Sequence, residues 1–294
     1  MKISKIKGLL FVTLLTTFIF GYSQEANVQK ITDNVYSISI FGYNSLTVIG
    51  DKGVLLVDPA NDYRAGLIQK EIAKLTELPV THIVLSHEHY DHAGGTGVFP
   101  EAQIYAQSNA RSIFKLDVTG TVPEKVHNWF DTDATIMMGN KRVDLHHYGA
   151  GDGVASTVVH LPIEGIVYCV DMFVNGAITD GRWIEDSNPL GVRLILNNLT
   201  LLKPKFVVNG HTDGSEANPL DPKYLIKASQ FYNDLYDAVA PVIIEASQKG
   251  FAEIMEAVNI LPKTVELNQH KDLKNYDSLP THVHRMAMAI FHGG

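Results

Sequence analysis

Residues 84–95 read Val-Leu-Ser-His-Glu-His-Tyr-Asp-His-Ala-Gly-Gly, and no other stretch constrains the chain as strongly. His87, His89, Asp91 and His92 put three imidazoles and a carboxylate within six residues. The run before them, 81–85, is apolar and β-branched and predicts a buried strand. Side chains on a regular strand alternate between faces, so these four cannot all converge there. They converge only on a loop that curls around a point, and such a shell ordinarily surrounds metal. Gly94 and Gly95 let the chain turn sharply with its backbone close to the site. A polar loop with ordinary surface histidines is the plain alternative, but it gives no reason for this spacing at a strand end.

The N-terminus reads as a targeting segment. Lys2, Lys5 and Lys7 form a basic region, and 9–20 is an apolar run. That run is short for a membrane span of about 20 residues. Gly21-Tyr22-Ser23 supplies small residues before Gln24, so 1–23 is expected to be a signal peptide and 24–294 a single exported domain. No cysteine follows the apolar run, which argues against a lipid anchor; an uncleaved membrane anchor is the other reading. The mature chain should then be periplasmic or extracellular, with no stable membrane anchor. Cys169 is the only cysteine, so no internal disulfide forms, and its strand-like surroundings make it a small core residue. The net charge of −8 argues against a nucleic-acid partner. The 294 residues, 45% of them hydrophobic, are enough for a sizeable core.

Strands are predicted over 35–40, 46–49 and 54–57, the last two joined by a Gly50–Gly53 hairpin turn. A helix over 63–75, with Leu67, Ile68, Ile72 and Leu75 on one side, leads to the motif strand. A strand over 102–106 and a helix from Ser108 to 116 follow, then a loop over 117–132 that would carry Trp129 to the site mouth, unless Trp129 belongs to the core. Further strands are expected over 134–138, 142–146, 157–161 and 166–170, with Asp171 directly after the last. Asn188 is placed to cap a helix starting at Pro189 and ending at Pro204. A strand over 206–208 ends at Asn209-Gly210-His211. Asp221-Pro222 starts a long helix towards Gly250, kinked at Pro241, and helices over 252–258 and 282–291 close the chain. Two similar halves emerge, each ending in a helix–strand unit that presents ligand-type residues at a strand end. His82 reads as structural, His160 as packing or surface, and His270, His282, His284 and His292 as surface residues.

The His87-x-His89-x-Asp91-His92 cluster, followed by Gly-Gly, closely resembles the signature of the metallo-β-lactamase superfamily. The resemblance runs from about Val35 through His211. It implies an α/β fold of the four-layer αββα sandwich type, with the site on one edge between two sheets. It also implies two divalent metal ions, zinc first, with manganese or iron compatible. His87 and His89 would hold the first ion and Asp91 and His92 the second. Asp171 matches the family's bridging aspartate, and His211 its last histidine. Cys169 lies two residues too early for the cysteine that some relatives carry at the bridging position. Asp58 matches a position that often orients a ligand histidine, or else it is a turn cap.

One position departs from the family pattern. Where a His-Thr pair is usual, this chain has Asp152-Gly153. Asp152 is favoured as a carboxylate ligand, since zinc–oxygen and zinc–imidazole distances are nearly equal. Otherwise the first metal position is weakened, and His146 or His147 reaches in. The extra negative charge would acidify bound water less and favour harder metals. The resemblance then implies an exported metal-dependent hydrolase of an ester, lactone or amide, including β-lactams, with Asp91 orienting water and shuttling a proton. A mononuclear iron relative that oxidises sulfur compounds and a non-catalytic metal-binding relative are the alternatives. The substrate would be a small molecule. The stretches expected to shape its pocket are 117–132 and 173–187, with Trp129, Phe173 and Trp183.

Overall fold

A computed structural model of the chain describes residues 26–212 and 219–293. The expected signal peptide lies outside the described residues. Twelve strands form two sheets among the described residues. The first sheet contains β1 (Asn27–Thr32), β2 (Val35–Ile40), β3 (Tyr43–Ile49), β4 (Val54–Val57), β5 (Val80–Val84), β6 (Gln103–Gln107) and β7 (Asn128–Phe130), in that order. The second contains β8 (Asp133–Met138), β9 (Lys141–His146), β10 (Val158–Leu161), β11 (Ile166–Cys169) and β12 (Phe206–Asn209). The helices are α1 (Asp62–Leu75), α2 (Tyr90–Ala93), α3 (Ala110–Phe114), α4 (Pro189–Leu201), α5 (Pro222–Lys249), α6 (Phe251–Thr264) and α7 (Leu279–His292).

Three apolar layers separate four structural ones. Ile68 and Ile72 of α1 pack with Ile38, Leu56 and Ile83 on the outer face of the first sheet. Leu46, Val48, Leu55 and Val84 meet Leu145, Val159, Leu161 and Tyr168 between the sheets. Val158, Val167 and Cys169 lie under Ile195, Leu199, Leu235 and Met286 of the helices on the far side. The alternation of residues on each strand assigns neighbours such as Tyr168 and Cys169 to opposite layers. The arrangement is the αββα sandwich expected from the resemblance.

Two crossovers direct the chain to one edge. β4 and β5 are parallel and joined through α1, and β11 and β12 are parallel and joined through α4. Asn61 caps α1 by accepting from Arg64 N at 3.0 Å, and Asn188 caps α4 by accepting from Leu190 N and Gly191 N. The halves are tied together at that edge. Asn44 N donates to the Gly210 carbonyl at 2.8 Å, and Asn44 Nδ2 to the Asn209 carbonyl at 3.0 Å.

Several sequence expectations need correction. β1 was not foreseen; its polar residues pair with β2 along a sheet edge. β7 lies inside the expected 117–132 loop and pairs in parallel with β6. Trp129 belongs to this strand and packs with the α1-side layer, against Phe114 and Arg111, so it is not at the site mouth. His270 and His282, expected at the surface, are buried at 3% and 2% exposure. His282 Nε2 donates to the Thr179 carbonyl at 2.8 Å, and His270 Nε2 lies 2.7 Å from Asp234.

Candidate metal centre

The motif leaves β5 and enters α2, whose single turn brings His92 back beneath His87 and His89. His87 Nδ1 lies 2.8 Å from Ser86 Oγ, which leaves Nε2 facing the site. That Nε2 is buried and makes no hydrogen bond. It lies 3.6 Å from Asp171 and 3.9 Å from Asp152. His89 Nδ1 lies 3.2 Å from Asp152 Oδ2. One ligand atom each from His87, His89, Asp152 and Asp171 falls within 4.8 Å of the others, and Asp91, His92 and His211 form a second such group. Asp171 belongs beside both, since its carboxylate is 3.2 Å from His92 Nε2 and 2.9 Å from His211 Nε2. All seven sequence-predicted residues therefore come together on one edge.

Burial and charge oppose each other here. Burial holds His87 well below the ordinary imidazole range, so its ring is neutral, the form that binds metal. Burial also opposes ionisation of Asp171, but His92 and His211 outweigh it and hold the carboxyl well below its usual range. Burial pushes Asp152 up to about 6, against the pull of His89. Carboxylates and imidazoles converge deep in the site, and the unpartnered His87 nitrogen is aimed at the same point. The donor set, with imidazole nitrogen and carboxylate oxygen in both groups, fits zinc.

His146 and His147 do not reach the centre. His147 Nδ1 lies 2.8 Å from the Ser156 carbonyl, and His146 Nδ1 2.7 Å from Asp133. The Asp152 loop is instead held by Glu88, which sequence reasoning passed over. Glu88 is 4% exposed and accepts from Val154 N at 2.6 Å and Ala155 N at 3.0 Å. Gly153 has φ +77°, and a Cβ there would lie 2.6 Å from Glu88 Oε1, so a side chain does not fit.

Other supports come from distant elements. Asp58 is buried behind His92, with Oδ2 3.4 Å from His92 Nδ1. Ser86 N donates to Asp58 Oδ1 at 2.8 Å, and the Tyr168 hydroxyl lies 2.9 Å from Oδ2. Arg64 of α1 donates to the Asp91 carbonyl at 2.9 Å and stacks over Tyr43 at 3.5 Å. Asp186 Oδ2 is 3.0 Å from His89 Nε2, the nitrogen on the opposite side from Asp152. Arg64, Tyr43 and Asp186 carried no sequence signal, because nothing in their own neighbourhoods is periodic or motif-like.

A cavity of about 760 Å³ opens over this floor. Its walls include Tyr43, Phe173, Val174, Thr179 and Trp183, with Glu185 and Asp186 at the side. The 173–187 segment thus lines the pocket as expected, whereas 117–132 does not. Arg182 is engaged by Asp180, at 2.7 Å between Nη2 and Oδ2. Asp91 is about half exposed at the pocket floor. Among the described residues no helix is long and apolar enough to cross a membrane.

Residues 40–211 match the family model for the metallo-beta-lactamase superfamily. A metallo-beta-lactamase type 2 from Bacteroides fragilis is 24% identical over 203 residues, covering 65% of this chain and 81% of that protein. A 2,4-dinitroanisole O-demethylase subunit alpha from Nocardioides sp. (strain JS1661) is 27% identical over 167 residues, covering 53% of this chain and 49% of the relative. This chain therefore spans about half the length of that demethylase subunit. The solved structure of a metallo-beta-lactamase from Pontibacter korlensis superposes with a TM-score of 0.61 at 19% identity, over 71% of this chain and all of the other.

Proposed function

Because this chain belongs to the metallo-beta-lactamase superfamily, we propose that it is an exported metal-dependent hydrolase of a small-molecule ester, lactone or amide, β-lactams included. The observation that carries this reading is the pair of ligand groups meeting at Asp171 on the floor of an open pocket. His87, His89, Asp152 and Asp171 would hold one ion, and Asp91, His92 and His211, with Asp171 shared, the other. When bound, such ions supply Lewis acidity toward a substrate oxygen and lower the pKa of water.

The chain's own residues do the rest. Asp91 reaches the solvent-facing floor, where its carboxylate orients the attacking water, takes its proton and returns it to the leaving group. Arg64 fixes that carboxylate by gripping the Asp91 backbone and the Tyr43 ring. Asp58 and Asp186 orient His92 and His89 from behind, which sets the ring nitrogen each presents to the centre. Phe173, Val174 and Trp183 offer an apolar wall for the non-reacting part of the substrate.

The test is hydrolysis of an ester, lactone and β-lactam panel by metal-stripped protein reloaded with zinc or manganese. Metal-dependent turnover that Asp91→Asn abolishes is expected, and no turnover across the panel refutes the reading. Export is tested separately by N-terminal sequencing of the secreted or periplasmic protein, expected to start at Gln24. Asp152 in place of an imidazole makes the first ligand group richer in oxygen and supports a second reading, a mononuclear iron protein that oxidises sulfur compounds. One iron per chain in protein purified without added metal would favour that reading, and two zincs would oppose it.

A further inference from the structure

On the outer face of the second sheet, away from the pocket, a different set of side chains converges. Asp144 and His146 of β9 point to the side opposite Val143 and Leu145, which fill the inter-sheet layer. The strand register sets His160 of β10 directly across from Asp144, and Asp133 of β8 directly across from His146. One ligand atom each from Asp144, His146 and His160 lies within 4.8 Å of the others. None of the three lines the pocket or belongs to the ligand groups there.

We propose that Asp144, His146 and His160 form a separate zinc-class metal site that ties β9 to β10, with Asp133 of β8 behind His146. Two imidazoles and a carboxylate are a sufficient protein set for zinc, with a position left for water. The supporting contacts are already arranged for this. Asp133 Oδ1 lies 2.7 Å from His146 Nδ1, leaving Nε2 as that ring's free nitrogen, and a carboxylate behind a ligand histidine is the usual orienting partner. Tyr148 stacks on the same ring at 5.6 Å and 17°. Asp144 is 6% exposed, and its Oδ1 accepts from Thr135 Oγ1 at 2.7 Å and Arg142 Nε at 2.9 Å. Its Oδ2 has neither of these partners. Arg142, ion-paired to Asp144 Oδ1 at 2.9 Å with its side chain 53% exposed, is a cation that a bound metal would have to displace.

The experiment uses the untagged chain, stripped with a chelator and titrated with zinc against a chromophoric competitor, with bound zinc counted by elemental analysis. The wild type is expected to take up one equivalent more than His146→Gln/His160→Gln. Asp133→Asn should retain that equivalent but weaken it about 10- to 100-fold. Arg142→Ala should tighten it. Equal zinc uptake by the wild type and the double variant overturns the proposal. If the double variant does not fold, Asp133→Asn decides instead, and unchanged zinc affinity in that variant also overturns it. The count does not depend on hydrolysis at the pocket, so neither result bears on the activity proposed there.

Discussion

Glu88 offers the sharpest test of how the centre is built. It stands between His87 and His89, yet it turns away from them to bind the backbone of the Asp152 loop. Its two oxygens accept from Val154 N and Ala155 N at 2.6 and 3.0 Å. Hydrogen bonds to an ionised acceptor contribute about 1.5–3 kcal/mol each when buried. Ala155 is 1% exposed and its N–H has no route to water, whereas Val154 is 41% exposed and water can replace part of its bond. Glu88→Ala should therefore destabilise the fold by about 3 kcal/mol, near the sum of one full bond and part of another. Glu88→Gln keeps the volume but sets an NH₂ against one backbone donor, so it should cost about 2 kcal/mol. Both variants free the loop that carries Asp152, and one of the zinc-binding steps at the pocket should weaken about 10- to 100-fold, as for other orienting partners. Urea unfolding without metal gives the stability change, and a competitive zinc titration gives the affinity. If Glu88→Gln is as stable as wild type within about 0.5 kcal/mol and both zinc steps are unchanged, Glu88 does not anchor the Asp152 loop.

Three further outcomes are expected. Asp152→Asn keeps the shape and removes the charge, so one zinc step at the pocket should weaken at least about tenfold while the others persist; a titration identical to that of the wild type would show that Asp152 is not a ligand. Zinc at about 100 times its dissociation constant should raise unfolding free energy by about 2.7 kcal/mol per occupied site, read from urea midpoints with and without chelator. His282 is buried neutral and pushed down to about 4, against an ordinary value of 6.5. Its contribution is complete above the unfolded value, and it declines as pH falls from there toward 4, because the unfolded chain takes up a proton that the folded chain refuses. At about pH 5 the wild type should have lost about 2 kcal/mol relative to neutral pH, a loss that His282→Gln should not show; parallel pH dependence in the two proteins would count against it.

The αββα frame was legible because its signals are local. The runs at 35–40 and 54–57 and the caps at Asn188 and Asp221 need only their immediate neighbours, and the strands and helices begin where those residues indicate. The cluster at 87–92, Asp171 and His211 were legible for the same reason, since each sits at or just past a strand end; Asp152, on the loop between β9 and β10, was reached only through the family resemblance. β7 was lost because three residues are too few to show a period, and its pairing with β6 supplies most of what holds it. His282 was misread although a signal existed. It shares a helical face with Met286, four residues on, and both are buried. Glu88 was passed over because its partners, Val154 and Ala155, stand more than sixty residues away. Asp186 and Arg64 act in the same way, through contacts that only tertiary packing creates.

The two halves use one backbone device for two purposes. β4 is followed directly by Asp58 with φ +56°, and Asp171, two residues past β11, has φ +61°. Left-handed backbone costs an ordinary residue about 1–2 kcal/mol, although aspartate tolerates it better than most. At both places the turn aims a carboxylate at the space beyond the next parallel strand, where ligands of α/β sheets commonly bind. In the first half that strand is β5 and delivers the motif; in the second it is β12 and delivers His211. The carboxylates then diverge in depth. Asp58 stays behind His92, satisfied by Ser86 N and facing Tyr168, and acts through the ring. Asp171 stands in front, between His92 and His211, and within reach of His87. The contacts of Asn44 with Asn209 and Gly210 bring the two edges together, so that Asp58 from one half and Asp171 from the other face the two nitrogens of the same imidazole, His92. A site shared in this way forms only when both sheets are assembled. For that reason the motif at residues 87–92, complete as it looks in sequence, has no second side until β11 and β12 are in place.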